Sequence, residues 1–152
     1  MTQEENDFLL KDLCARLPYG IKLQKINEPD TAFTLYSVNL ESSEIFFWKY
    51  QGTSLEIADV DKLYRKNGQL KYKPYLRPMS SMTEEERKEW FSLMRKEYRE
   101  QYPYSAVNTS YYEYFPTIES FDYLNSNHFD YRGLIPKDLA LEATEGMYET
   151  QE

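Results

Sequence analysis

The chain predicts an α+β fold: an N-terminal helix, a small antiparallel sheet able to curl like a small barrel, then a long helix and short C-terminal helices. Three observations carry this. Leu10, Leu13, Cys14 and Leu17 share one face of a helix over 4–17, with Phe8 near its edge. From Gly20 to Ala58 the pattern shifts to short runs at period two, separated by turn residues. At Thr83 a helical period returns behind an N-terminal capping signature. The 152 residues suit one domain over 1–143, with a frayed tail from 144 to 152.

Pro18 and Gly20 end the first helix. Ile21, Leu23 and Ile26 then alternate imperfectly with Lys22, Gln24 and Lys25, as in a strand with a bulge. Asn27-Glu28-Pro29-Asp30 makes a turn, Phe33 to Leu40 a second strand, and Glu41-Ser42-Ser43-Glu44 a hairpin connection. Ile45 to Tyr50 is the most β-prone run of the chain. It is apolar on both faces, so it reads as a central strand covered on both sides, one cover being a helix and the other a second helix or a partner. A homodimer through 45–50 is therefore a candidate assembly. Gln51-Gly52-Thr53 turns into a short strand from Ser54 to Ala58.

Residues 59–73 allow two readings. Asn67-Gly68 can form a two-residue hairpin turn, pairing Tyr64 with Lys71, Leu63 with Tyr72 and Lys62 with Lys73. Alternatively a helical turn starts at Asp59 or Asp61 and ends at Gly68. The alternation from Gln69 to Lys73 favours the hairpin. Pro74 and Pro78 keep 73–78 extended. Thr83 and Glu86 then form a capping box, and Glu84, Glu85 and Glu86 suit the positive end of a helix dipole. Trp90, Leu93, Met94, Tyr98 and Tyr102 continue the period, so the long helix is expected to run to Pro103. Residues 104–116 form a Tyr-rich loop. Thr117 caps a helix from Ile118 to about Ser126 with Ile118, Phe121 and Leu124 inward and Asn127 as its C-cap, and Pro136 opens a last short helix through Leu141.

The composition bounds the function. Hydrophobic residues make up 41% and aromatics 16%, including 15 tyrosines, so the chain holds a core and an unusual stock of amphipathic rings. No apolar run reaches the ~20 residues of a membrane span. The acidic start Met1-Thr2-Gln3-Glu4-Glu5 is unlike a signal peptide, so a cytoplasmic protein with no membrane partner is expected. Cys14 is the one cysteine and lies on an apolar helix face, which reads as core packing. With one Cys and one His, a Cys/His zinc centre is not expected. Neither a metal nor a cofactor is expected, since the chain carries no glycine-rich phosphate loop. Glu84, Glu85, Glu86 and Glu89 lie on one exposed helix and do not surround an ion.

The net charge of −8 is uneven. Residues 1–82 hold 11 acidic and 11 basic side chains, and residues 83–152 hold 15 and 7, so the whole deficit lies in the second part. Its overall field repels nucleic acid. The exception is 62–83, with six basic residues and no acidic one. Lys62, Arg65, Lys66, Lys71, Lys73 and Arg77 make a candidate anion or partner site, with Tyr64, Tyr72 and Tyr75 interleaved as stacking rings. The alternative role for such lysines is to guard a strand edge, or to be neutralised by the acidic part of the chain. A second candidate is an aromatic contact surface of Tyr104, Tyr111, Tyr112 and Tyr114. A third is the polar cluster His128, Asp130 and Arg132. An imidazole beside a carboxylate can act as a general base, but no Ser or Cys nucleophile sits in a recognisable pattern. The favoured reading there is structural, with His128 closing the preceding helix and Asp130 and Arg132 fixing a turn.

Three stretches carry a resemblance: 10–20 (Leu-Lys-Asp-Leu-Cys-Ala-Arg-Leu-Pro-Tyr-Gly), 73–86 (Lys-Pro-Tyr-Leu-Arg-Pro-Met-Ser-Ser-Met-Thr-Glu-Glu-Glu) and 127–135 (Asn-His-Phe-Asp-Tyr-Arg-Gly-Leu-Ile). In these the chain resembles small uncharacterised proteins of Bacteroides-type bacteria and their phages and mobile elements. The resemblance implies a cytoplasmic, prophage-associated setting and no particular activity. The leading expectation is a non-enzymatic interaction protein with a protein partner. Nucleic-acid binding through 62–77 is the first alternative, and an unrecognised hydrolase the second.

Overall fold

The computed structural model describes residues 2–29, 32–51, 54–100 and 110–149. Three helices and eight strands lie among them, which makes the protein α+β. Helix α1 spans Gln3–Arg16, opened by a capping box in which Thr2 accepts from the Glu5 amide and Glu5 reaches back to the Thr2 amide. Strands β1 (Lys22–Lys25), β2 (Ala32–Asn39), β3 (Glu44–Gln51) and β4 (Ser54–Lys62) form an antiparallel meander. Strand β5 (Tyr72–Leu76) pairs with β1, and the two-residue β8 (Leu141–Glu142) joins β5 in parallel, giving the order β4-β3-β2-β1-β5-β8.

One apolar face of this sheet packs against α1. Leu9, Leu10 and Leu13 meet Ile21, Leu23, Leu35, Ile45, Phe47 and Leu76 in one buried cluster. Phe33, Phe47 and Tyr72 add ring contacts at 4.9–6.4 Å between centroids. The sheet is not closed into a barrel. Arms β4 and β5 belong to different neighbours, β3 and β1, and touch at the hairpin tip through the Lys71 amide on the Leu63 carbonyl (2.9 Å) and the bridge between Tyr64 and Leu70. The helix fills the space that a barrel would fill with its own side chains. Strand β3 lies inside the sheet, between β2 and β4, so its backbone is already paired on both sides.

The hairpin reading of 59–73 is correct in kind and shifted in register. Tyr64 opposes Leu70, and the Arg65 amide donates to the Gln69 carbonyl at 2.7 Å. The loop is therefore longer than two residues. Asn67 Oδ1 accepts from the Gln69 amide, and Gly68 supplies a φ of +78°. Lys62 does not face Lys73: it pairs with Glu44 across the ladder, while Lys73 pairs with Gln24.

The largest departure is the long helix. Helix α2 (Glu84–Leu93) begins as expected, with Thr83 accepting from the Glu86 amide, but ends at Leu93. Residues Arg95–Glu100 are strand β6, which pairs antiparallel with β7 (Ser110–Phe115) in a two-stranded sheet of its own. The expected Tyr-rich loop is thus partly strand. Helix α3 (Ile118–Ser126) has the expected Thr117 cap and Asn127 C-cap. Only Leu124 of its three expected inward residues is buried; Ile118 and Phe121 face solvent. Met82, Leu124 and Phe129 make a second, smaller core with Met79, Trp90, Tyr123 and Tyr131 around it. The segment after Pro136 turns instead of coiling into a helix and leads into β8. Beyond it, Tyr148 stacks on His128 at 3.7 Å and donates to the Tyr75 carbonyl at 2.7 Å.

Candidate functional site

The basic segment is mostly spent on internal pairs. Lys62 bridges to Glu44 (3.1 Å), Lys71 to Asp61 (2.5 Å) and Lys73 to Asp138 (2.5 Å). Arg77 holds Glu86 through two bonds of 2.8 and 3.0 Å and lies over the Phe129 ring. That guanidinium keeps the Glu86 carboxyl below its ordinary range. At Asp61 burial opposes ionisation, but hydrogen bonds from Lys71 and Tyr72 outweigh it and the carboxyl titrates low. The interleaved rings are not free to stack bases. Tyr72 is core, Tyr75 bonds to Gln24, and Tyr64 is half-buried with its hydroxyl enclosed. Burial, then the charge of Asp7, pushes the Tyr64 phenol far upward. Arg65 and Lys66, at the hairpin tip, are the two members of the segment left exposed and outside these pairs.

Of the expected aromatic residues, Tyr112 and Tyr114 are exposed, and exposed rings outside the expected set adjoin them. Tyr104 lies outside the described residues, as does the side chain of Tyr111. Tyr98 and Tyr112 are directly opposite on the β6–β7 ribbon, with ring centroids 5.6 Å apart and more than half of each residue exposed. Lys96 opposes Tyr114 on the same face and lies 3.9 Å from the Tyr112 centroid. Tyr114 in turn meets Phe91 of α2 edge-on at 5.1 Å. Rings from three elements therefore make one exposed path: Phe91, Tyr114, Tyr112 and Tyr98. A helical reading of 83–102 hides the place of Phe91 and Tyr98 on this face.

His128, Asp130 and Arg132 do not converge. His128 occupies the left-handed position after α3 with a φ of +58°. Its amide donates to Asn125 and the next amide, Phe129, donates to Leu124, the two bonds of a Schellman motif. The imidazole is buried beneath Tyr148. Burial, then Arg16 and Lys22, lower its pKa to about 4, so it is neutral at pH 7. The Asp130 carboxylate is used by the Leu134 and Ile135 amides, both at 2.8 Å. Arg132 bonds to the Tyr131 hydroxyl at 3.1 Å. The three therefore serve separate places: the backbone at His128 closes α3, Asp130 fixes the turn into Leu134 and Ile135, and Arg132, expected to fix a turn, instead holds the Tyr131 ring. The imidazole also lines a cleft of ≈680 Å³ with Arg77, Glu86, Asn127 and Tyr148.

The sequence reading missed a buried charged pair among the described residues. Asp12 and Arg16 on α1 are both 0% exposed and joined by bonds of 2.8 and 3.1 Å. Arg16 donates further to the Phe129 carbonyl, and Arg132 comes within 3.6 Å of Asp12. This pair ties α1 to the turn carrying His128. A signal was present, since 9, 13 and 16 repeat on the apolar stripe and place an arginine among leucines.

No protein-family model, curated protein or solved structure matches the chain. Among the described residues no helix is long and apolar enough to cross a membrane.

Proposed function

We propose that the protein is a non-enzymatic interaction protein whose contact face is the aromatic β6–β7 ribbon with Phe91 beside it. The observation that carries this reading is the exposed path of rings on a ribbon outside the main sheet. Tyrosine gives large, stiff contact area at small entropic cost, and such rings dominate binding energy at protein interfaces. Lys96 beside Tyr112 and Tyr114 adds a cationic edge, which suits a partner segment carrying apolar and acidic side chains. The setting implied by the sequence resemblance, a phage or mobile element, is compatible with such a role. Nucleic-acid recognition through 62–77 has weaker support, because four of its six cations are held by carboxylates of the same chain.

The test is affinity capture from a lysate of the source organism with three baits: the native chain, Tyr98→Ser/Tyr112→Ser/Tyr114→Ser, and Arg65→Glu/Lys66→Glu. The ribbon reading expects one partner to be recovered by the native chain and the hairpin variant and lost from the tyrosine variant. A partner retained by the tyrosine variant sinks it.

A further inference from the structure

We infer that the protein has a second binding site, for a small organic anion with an apolar body, in the cleft between the hairpin tip and the loop before β8. The cleft has a volume of ≈520 Å³. Three cations from separate parts of the chain line it: Arg65 from the hairpin, Lys73 from β5 and Lys137 from the turn after Pro136. The sequence brought the first two into one basic run and gave no reason to add the third, which lies 64 residues further on.

The charges are not equivalent. Lys73 is 13% exposed and is held by Asp138, itself 90% exposed. The other carboxylate at the cleft, Glu5, is drawn into the cap of α1 through the Thr2 amide. Arg65 and Lys137 are exposed, and neither has an ion-pair partner among the described residues. Lys137 instead rests its ammonium over the Phe8 ring at 4.6 Å. Thus three cations face two carboxylates that already have partners. In a chain of net charge −8 this is a local reversal of sign, and the surplus sits on Arg65 and Lys137, which no carboxylate among the described residues holds.

The remaining wall selects the shape of the ligand. Ile26, Leu70 and Leu139 supply apolar lining, while Asn27 and Gln69 add polar lining. A carboxylate or phosphate monoester joined to a short apolar group meets both requirements.

The experiment titrates phenyl phosphate, benzoate and neutral benzyl alcohol into the full chain and follows backbone amide shifts. The expected result is saturable binding of at least one anion, with shifts at Arg65, Gln69 and Leu139 and none for benzyl alcohol. Tighter binding of phenyl phosphate assigns a phosphate ligand, and tighter binding of benzoate a carboxylate. Arg65→Ala and Lys137→Ala should each weaken binding about tenfold, the usual weight of a hydrogen bond to a charged group. Both residues are exposed, so the core survives their loss. Lys66→Ala removes the same charge one residue outside the cleft and should leave affinity unchanged. Absence of saturable shifts for both anions at millimolar concentration, equal binding of benzyl alcohol, or equal weakening by Lys66→Ala overturns the inference. None of these results depends on the ribbon, whose residues are unchanged throughout.

Discussion

At the scale of single residues, the buried pair Asp12–Arg16 is the most consequential contact outside the apolar core. Two charges taken out of water cost several kcal/mol each, which their mutual attraction and added hydrogen bonds must offset. Removing one partner strands the other, so Asp12→Leu should lose about 3–5 kcal/mol in chemical denaturation. Asp12→Leu/Arg16→Met should recover part of that loss, since no fully buried charge is left unpaired; Arg132, which also approaches Asp12, is partly exposed. If the double variant is as unstable as the sum of the two singles, the pair is not coupled. His128 gives a second residue-scale test. Its folded pKa of about 4 lies below the ordinary value of 6.5, so the unfolded chain binds more protons between those limits. Stability is then full above about pH 6.5, falls as the pH drops toward 4, and loses roughly 3 kcal/mol from this group. As the single histidine, it can be followed directly by imidazole NMR. An apparent pKa near 6.5 in the folded protein would show that Tyr148 does not seal the ring from water.

At the scale of elements, local chemistry marked where structure begins better than where it stops. The Thr83–Glu86 box fixed the start of α2 from four residues, because capping is a contact within one turn. Thr83→Ala should cost about 1 kcal/mol in thermal or chemical unfolding; no change would mean that tertiary packing alone holds that end. The stop at Leu93 was not legible. Met94, Tyr98 and Tyr102 satisfy a helical period, while Arg95 to Glu100, with Tyr98 as one ring among five charged residues, carries no apolar alternation to mark a strand. What decides is remote: the 110–115 run offers cross-strand rings for Tyr98 and Lys96, and a helix there would leave that run without a partner. Ile118 and Phe121 were misjudged for a related reason, since a helical stripe shows which residues share a face but not which neighbour arrives to cover it. The hairpin tip at Asn67-Gly68 was visible, while its register was set by the competing partners of β4 and β5. Cross-strand nuclear Overhauser contacts between Tyr98 and Tyr112 should be present in solution; sequential helical contacts through 95–100 would contradict the ribbon.

At the scale of the whole molecule, the sign of the net charge misdirects attention. The basic segment stood out in the sequence because its neutralising carboxylates, Glu44, Asp61, Glu86 and Asp138, come from other elements. Folding removes most of that patch and leaves two features instead: an aromatic path on the ribbon and a small cationic cleft beside the hairpin. The first is the proposed contact face, and it can be tested while its partner is unidentified. A photo-crosslinking amino acid would replace Tyr112, and in a control chain Tyr36, an exposed tyrosine on the main sheet. Both chains would be irradiated in a lysate of the source organism. The proposed function predicts a discrete adduct of one protein from position 112 that is absent from position 36. The same adduct from both positions, or one from position 36 alone, would contradict it.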